Sequence, residues 1–254
     1  MGAKKMNTLN SQLSTLNSCD KQEQLSSLKL QSEAKITTIG NNSNILPLTY
    51  LGNILYYATL IQGESIIDIH SHYIKQTYTN RCSIITANGI QDLTIPIIKP
   101  KEKTPIKDIR ISSHDNWQQL HWRAIQSAYN STPFFEYFCD DYLPFYNKKW
   151  DFLLDFNLEI QQKTLELLNF PKIEFSLSNS YIETSNFSTK DLREVINPKK
   201  FNVTLYKNLS TPYYQTFDSK FGFSPNLSII DLLFNMGNES RIYLRNLLIT
   251  NYKK

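Results

Sequence analysis

The chain has 254 residues, 41% of them hydrophobic, with 15 Tyr, 14 Phe and only 7 Gly. That length and composition can bury a full core and exclude a collagenous, linker-rich or largely disordered chain. Its 27 basic and 23 acidic residues are spread along the sequence for a net charge of +4, without the concentrated basic face of a nucleic-acid binder.

Residues 1–43 are compositionally distinct, built of Ser, Leu, Asn and Gln with thinly spaced Leu9, Leu13, Leu16 and Leu25. Such a segment buries too little apolar surface to offset its ordering entropy, and it reads as a disordered tail with a weak helix near Gln24 to Ser32. Order begins at Ile45-Leu46-Pro47-Leu48, an apolar run that reads as a strand. Leu51 to Ile61 follows with Ile54, Leu55, Ala58 and Ile61 at helical spacing. Gly63-Glu64-Ser65 breaks the pattern, and Ile66 to Ile69 reads as a second strand. Strand, helix and strand in so short a stretch predict a βαβ unit with parallel strands.

Two β-rich runs, Arg81 to Ala87 and Asp92 to Ile98, flank Asn88-Gly89. That dipeptide predicts a hairpin because both residues tolerate positive φ. Pro96 belongs at an edge or bulge, since it has no N–H for the ladder. Ile106 to Ile111 alternates apolar and charged residues and reads as a further strand. Helices then dominate. Asp115-x-x-Gln118 resembles a capping box opening a helix from Asn116 to Tyr129, and Ser131-Thr132-Pro133 restarts a second. Trp150 to Leu168 is amphipathic, and Ile173 to Leu177 can supply a strand. Ser178 to Thr211 is polar and reads mostly as loop. Pro225 to Gly237 predicts a helix, with a last one from Ser240. The expected architecture is a single α/β domain over residues 44–254, with a mixed β-sheet flanked by helices and a helix-rich middle.

The polar segment His70-Ser-His72-Tyr73-Ile-Lys75-Gln-Thr77-Tyr78-Thr-Asn80-Arg81 lies between two predicted strands, where α/β proteins usually build sites. His70 and His72 would share a face if extended, but no third ligand stands nearby, so no metal site is assigned. Lys75, Asn80 and Arg81, with Tyr73, Thr77 and Tyr78 as hydroxyl donors, could cradle a phosphate or carboxylate. The same residues equally suit a solvated strand face, paired with Asp68 or Asp92. A second cluster is His114, Trp117, His121, Trp122 and Arg123, followed by Tyr129. Trp117 and His121 share a helix face. His121 is the strongest acid–base candidate in the chain and fits a satisfied core histidine equally well. Asp231 falls inside an apolar helix, where burial demands a partner, for structure or for function.

Cys19, Cys82 and Cys139 form no CxxC pair, and reduced thiols in the cytoplasm are expected. No apolar run reaches the roughly 18 residues of a membrane span, and the N-terminus lacks the apolar core of a signal peptide. Walker A, GxGxxG, G-x-S-x-G and HExxH signatures are all absent from the sequence. No sequence signal names a cofactor or an oligomeric state.

Several motifs in order carry a family resemblance. They are Tyr73-x-Lys75-x-Thr77-Tyr-x-Asn80-Arg81, Leu93-Thr-x-Pro96-Ile, His121-Trp-Arg-x-Ile125, Ala128-Tyr129 and Pro133-Phe134-Phe. Asp155-Phe-Asn157, Tyr214-Gln215-x-Phe217 and Asn226-Leu-Ser-Ile-Ile-Asp231-Leu-Leu-Phe-Asn235-x-Gly237 continue the series. From about residue 45 to the end, the chain resembles the WbqC-like family. Members of that family occur in gene sets for O-antigen and other surface polysaccharides, and transfer of glycine or another small acyl group to a sugar has been suggested for it. Many members open with His-Gln-Pro-x-Tyr-Leu-Pro; here that place reads Leu46-Pro47-Leu48-Thr49-Tyr50-Leu51-Gly52, without the His and Gln.

The resemblance implies a cytoplasmic transferase acting on a nucleotide-sugar or related anionic precursor. His121 or His72 would move a proton, while Tyr73, Lys75, Asn80, Arg81, Trp117, Tyr129 and Asp231 contact the substrate. The alternative is a non-catalytic binding or assembly protein of the envelope pathway that uses the same cleft.

Overall fold

The computed structural model describes residues 43–113, 115–173, 175–183, 190–200, 206 and 211–247. The expected tail up to residue 42, its helix near 24–32 and His114 lie outside the described residues.

The architecture is α/β. Strands β1 (Asn44–Pro47) and β2 (Ser65–Asp68) are joined by helix α1 (Ile54–Gln62), and the strands pair in parallel with Leu46 opposite Ile67, as the βαβ pattern predicts. Helix α1 begins three residues later than its apolar spacing suggests. Leu51 takes a positive φ, and the Asn53 side chain accepts the Tyr56 N–H at 2.9 Å as the cap. A side chain at Gly52 would meet Thr49 and Tyr56, so the chain turns there only with glycine.

Strands β3 (Arg81–Thr86) and β4 (Gly89–Thr94) form the hairpin. Its two-residue loop is Ala87-Asn88, and Gly89, at φ 103°, already pairs with Thr86, one residue beyond the sequence expectation. Pro96 lies past the end of β4, where its carbonyl accepts the Ser112 N–H. Strands β5 (Phe175–Leu177) and β6 (Lys190–Asp191) complete a parallel sheet of order β5-β2-β1-β6. Parallel and antiparallel pairing are thus divided between a four-stranded sheet and a separate hairpin.

Residues 106–111 do not form the expected strand. Pro105 leads into a 3-10 turn, Ile106–Asp108, and only isolated bridges follow at Arg110 and Ile111. The buried isoleucines 106, 109 and 111 explain the apparent alternation: they anchor a turn into the core instead of lining one face of a strand.

Helices α2 (Trp117–Tyr129), α3 (Phe135–Asn147) and α4 (Leu153–Leu167) make up the helical middle. Gln118 does not close a capping box, because its amide donates to the Phe145 and Lys148 carbonyls and fastens α2 to the end of α3. A one-turn helix α5 (Asp218–Phe221) precedes α6 (Ile229–Met236) and α7 (Ser240–Asn246). The main core gathers Tyr50, Trp117, Tyr146, Trp150 and Phe156 in edge-to-face and tilted contacts, with the aliphatic residues of α1 and α6. Each large apolar side chain buried there contributes roughly 1.5–3 kcal/mol.

Candidate functional site

Strand β2 stops at Asp68 because its carboxylate takes over the next backbone donors. Oδ1 accepts the N–H groups of His70 at 3.0 Å and Ser71 at 3.2 Å, turning the chain sharply. The turn carries His70, Ser71 and His72 to the carboxyl edge of the parallel sheet. There a cavity of about 300 Å³ opens, lined by Pro47 of β1, Asp68 of β2 and Asp191 and Arg193 of β6 and its exit. Further walls come from His72, Thr77, Tyr78 and Tyr181, with Ile74, Ile106 and Ile196 as apolar patches.

The connection leaving β1 runs to one side of the sheet, to β2, while β6 pairs on the other side of β1. Between two such strands the outgoing loops diverge and leave a crevice, the usual ligand position in α/β sheets.

Asp68 is 0% exposed, yet it belongs to the cavity wall, behind Ser71 and Arg193. Oδ2 accepts from the Ser71 hydroxyl and from Arg193 Nη1, while Ser178 Oγ donates to Oδ1 at 3.0 Å. Arg193 is itself fully committed. Nε and Nη2 bind Asp191, Nη2 also donates to the Ile182 carbonyl, and Nη1 reaches Ser71 Oγ as well as Asp68. All five N–H groups of the guanidinium therefore have acceptors. Hydrogen bonding to Asp191, opposed by burial, raises its already high pKa, so the charge is permanent.

The cavity walls hold three carboxylates (Asp68, Asp191 and Glu194) against this one guanidinium. At the mouth the Tyr181 ring is 55% exposed, stacks on His72 with centroids 6.4 Å apart and lies under the Arg193 guanidinium. Such a site offers acceptors for hydroxyl groups and a flat ring face, and it offers no uncommitted guanidinium donor for an anion.

Of the residues expected to form a site, His72, Thr77 and Tyr78 line this cavity, and Tyr73, Lys75, Asn80, Arg81, Trp117, His121, Tyr129 and Asp231 do not. Tyr73 is half-buried, and burial raises its phenol pKa; its hydroxyl donates to Asn80 Oδ1 at 3.1 Å. The buried Asn80 amide in turn donates to the Ile95 carbonyl, so this pair braces the loop against the hairpin. Arg81 takes the alternative its sequence left open: Nη1 binds Asp92 at 3.1 Å and Nε binds Thr94 across the hairpin. Lys75 is exposed, with no ion pair among the described residues.

His121 is 6% exposed, with Nδ1 3.0 Å from the Tyr50 hydroxyl and its ring edge-on to Trp117. Burial pulls its pKa down to about 4, with the Thr94 backbone opposing weakly. Trp117 is core. Tyr129 donates to Asp231 Oδ1 at 3.0 Å, and Tyr213 and Gln215 donate to Oδ2. Asp231 is wholly enclosed and faces no cation, so burial pushes its pKa up to about 6. Lys75, Arg81 and His121 are thus not brought to a common pocket.

Sequence reasoning missed Ser71, Ser178, Tyr181, Asp191 and Arg193. The last four fall in the polar stretch read as loop, and only the charge pair Asp191-x-Arg193 hinted at them. Among the described residues no cluster of His, Cys, Asp and Glu could hold a metal ion, and no helix is long and apolar enough to cross a membrane.

Residues 56–206 match the model of the WbqC-like protein family, more than half of the chain. The matched region contains the Asp68 turn, the hairpin and the Arg193 clasp. A relative from Mycobacterium tuberculosis, named Uncharacterized protein Rv1507c, is 28% identical over 214 residues, covering 72% of this chain and 87% of its own. No solved structure matches the chain.

Proposed function

The chain belongs to the WbqC-like protein family, and from that premise we propose that the cavity at the sheet edge takes a sugar unit of a surface-polysaccharide precursor. In this reading the protein is a cytoplasmic transferase that places a small acyl group, such as glycyl, on that sugar. The observation that carries it is the saturation of Arg193 beside Asp191, Glu194 and the exposed Tyr181–His72 ring pair. Carboxylates accept sugar hydroxyls, and a ring face packs against the C–H face of a pyranose. A phosphate in the same space would find the Arg193 donors already spent on Asp68 and Asp191, with Glu194 paired to Lys200 beside them.

His72 is the proton acceptor of this reading, because it lines the cavity beside the Tyr181 ring. The accepting hydroxyl oxygen bonds to the acyl carbonyl carbon of an activated donor, and the bond from that carbon to the donor's leaving group breaks. His72 takes the hydroxyl proton and passes it to the leaving group.

A second reading, a binding or assembly protein of the envelope pathway, is favoured by one feature. Among the described residues no side chain hydrogen-bonds a ring nitrogen of His72, whereas catalytic bases are usually oriented by one. Thermal shifts with free sugars and nucleotide-sugars test the site, since binding to the native state raises the melting temperature with concentration. A shift lost in Tyr181→Ala supports the cavity; no shift with any sugar removes it. If His72→Ala still binds a sugar but no longer yields acylated product, the transferase reading stands. If neither chain forms product with any activated donor, the binding reading replaces it.

A further inference from the structure

The net charge of +4 conceals one local excess. Residues 98–104 carry Lys99, Lys101 and Lys103 around Pro100, with Glu102 as the one carboxylate among them. All three lysines are exposed, and none of the ion pairs among the described residues includes them. The main chain fastens both ends of this loop. Ile98 N donates to Arg110 O at 2.9 Å, and Tyr73 N donates to Thr104 O at 2.9 Å. The Thr104 N–H and hydroxyl both donate to Lys101 O, at 3.3 and 2.8 Å, closing a turn in which Lys103 takes φ 58°.

These anchors bring further exposed side chains to each end of the loop. Tyr73 leads into Ile74, 57% exposed, and Lys75, while Ile98, 54% exposed, pairs with the exposed Arg110. Over residues 74–75 and 98–110 the exposed charges are five cations, Lys75, Lys99, Lys101, Lys103 and Arg110, against Glu102 and Asp108. Lys107 is half-buried, 3.2 Å from His70 Nε2, and adds nothing to that surface. A single exposed isoleucine needs no explanation. Here one stands at each end of an unpaired lysine loop.

We propose that this loop docks the protein on an anionic lipid bilayer, with the lysines among the phosphate head groups and Ile74 and Ile98 at the acyl boundary. Cations attract the head groups and apolar side chains leave water, and the two effects add at one surface. A nucleic acid offers the same phosphates, but it leaves both isoleucines in water, and the loop has no aromatic ring on which a base could stack. Residues 69–75 follow β2, so the loop paired with them lies at the carboxyl edge of the parallel sheet, as the cavity does. Ile74 belongs to both, since it also lines the cavity. Docking along the loop therefore holds the cavity mouth beside the bilayer.

The test is co-sedimentation of the full chain with vesicles of phosphatidylcholine alone, and of phosphatidylcholine with phosphatidylglycerol at about two to one, each at about 0.05 M and about 0.5 M salt. Binding is expected to the anionic vesicles only, and to weaken at the higher salt. Each lysine near the surface is worth about fivefold in partitioning, so Lys99→Gln, Lys101→Gln and Lys103→Gln together should cost about a hundredfold. Ile98→Ser should cost about fivefold and keep the salt dependence. Lys172→Gln, an exposed lysine ahead of β5 at the amino edge of the sheet, should change nothing.

Absent binding, or equal binding to neutral and anionic vesicles, overturns the proposal. So does undiminished binding by the triple lysine variant, or an equal loss in Lys172→Gln, which would signal diffuse attraction. Tighter binding of a single-stranded oligonucleotide through the same three lysines, unchanged in Ile98→Ser, would overturn the lipid assignment in favour of nucleic acid. These vesicles carry no sugar, so the outcome is independent of the sugar reading above.

Discussion

Asp68 and Asp231 are both completely buried, and they show two ways of burying a carboxylate. Asp68 ends a strand of the parallel sheet and is matched by Arg193, with Ser71, Ser178 and two backbone N–H groups filling its remaining lone pairs. Asp231 sits in the first turn of α6 with three neutral donors and no cation. The guanidinium compensates the charge of the first. Only hydrogen bonds stabilise the second, and burial wins, raising its pKa from 3.8 to about 6. A carboxylate with a cation can be kept at the edge of a cavity. One without a cation belongs to the scaffold, where it ties α2, α6 and the Tyr213–Gln215 segment together.

The largest expected effect falls on the scaffold side. Asp231→Ala strands the Tyr129, Tyr213 and Gln215 donors in the core, and chemical denaturation should show a loss of about 3–5 kcal/mol. A loss below about 1 kcal/mol would mean the enclosure is looser than the contacts indicate.

The pH dependence comes next. Asp231 binds protons more readily folded than unfolded, so its contribution falls as pH rises from about 4 to about 6. His121, lowered from 6.5 to about 4, has the opposite sign, and its contribution is lost as pH falls through that window. The two slopes offset in the unaltered chain. His121→Phe removes one of them, so stability between about pH 4 and about pH 6 should decline with rising pH by about 2 kcal/mol. Urea midpoints at several pH values measure this, and a rising or flat profile in the variant refutes it.

Arg193→Leu tests the site side. It leaves Asp68 enclosed without its cation, and a cost of about 2–3 kcal/mol is expected, reduced because the guanidinium is partly exposed. Equal stability would mean that water replaces the guanidinium. Tyr181→Ala should leave stability within about 0.5 kcal/mol while weakening sugar binding. Arg81→Ala removes an exposed cross-strand pair, with an expected loss below about 1 kcal/mol and unchanged ligand binding. A binding defect there would return the hairpin to the site.

The local elements were readable because local chemistry produces them. Ile45–Leu48 and Ile66–Ile69 announced parallel strands through apolar runs separated by a helical period, and the Asn88-Gly89 pair located the hairpin to within one residue. Gln118 misled because its amide found carbonyls at the end of α3, a partner that no local pattern contains. Ile106–Ile111 misled because the mixture of apolar and charged residues resembles a strand, while the burial of Ile106, Ile109 and Ile111 is satisfied by a turn and two bridges.

The site was legible in part. The 70–81 segment drew attention rightly, since His72, Thr77 and Tyr78 line the cavity, but charge type alone favoured Lys75 and Arg81. Asp92, 11 residues away along the hairpin, takes Arg81 out of contention.

The sequence by itself determined the family, the βαβ start, the hairpin and the helical middle, because spacing, turn residues and ordered motifs are encoded within a few residues. Only the tertiary structure decided which polar residues meet. Lys190–Asp191 is two residues of strand with no periodicity to reveal it, yet its pairing with β1 carries Arg193 to a point 125 positions away from Asp68 in the chain. Coulomb attraction and hydrogen bonding act through space. The partner that fixes a buried charge is therefore set by the fold, and a linear pattern does not carry it.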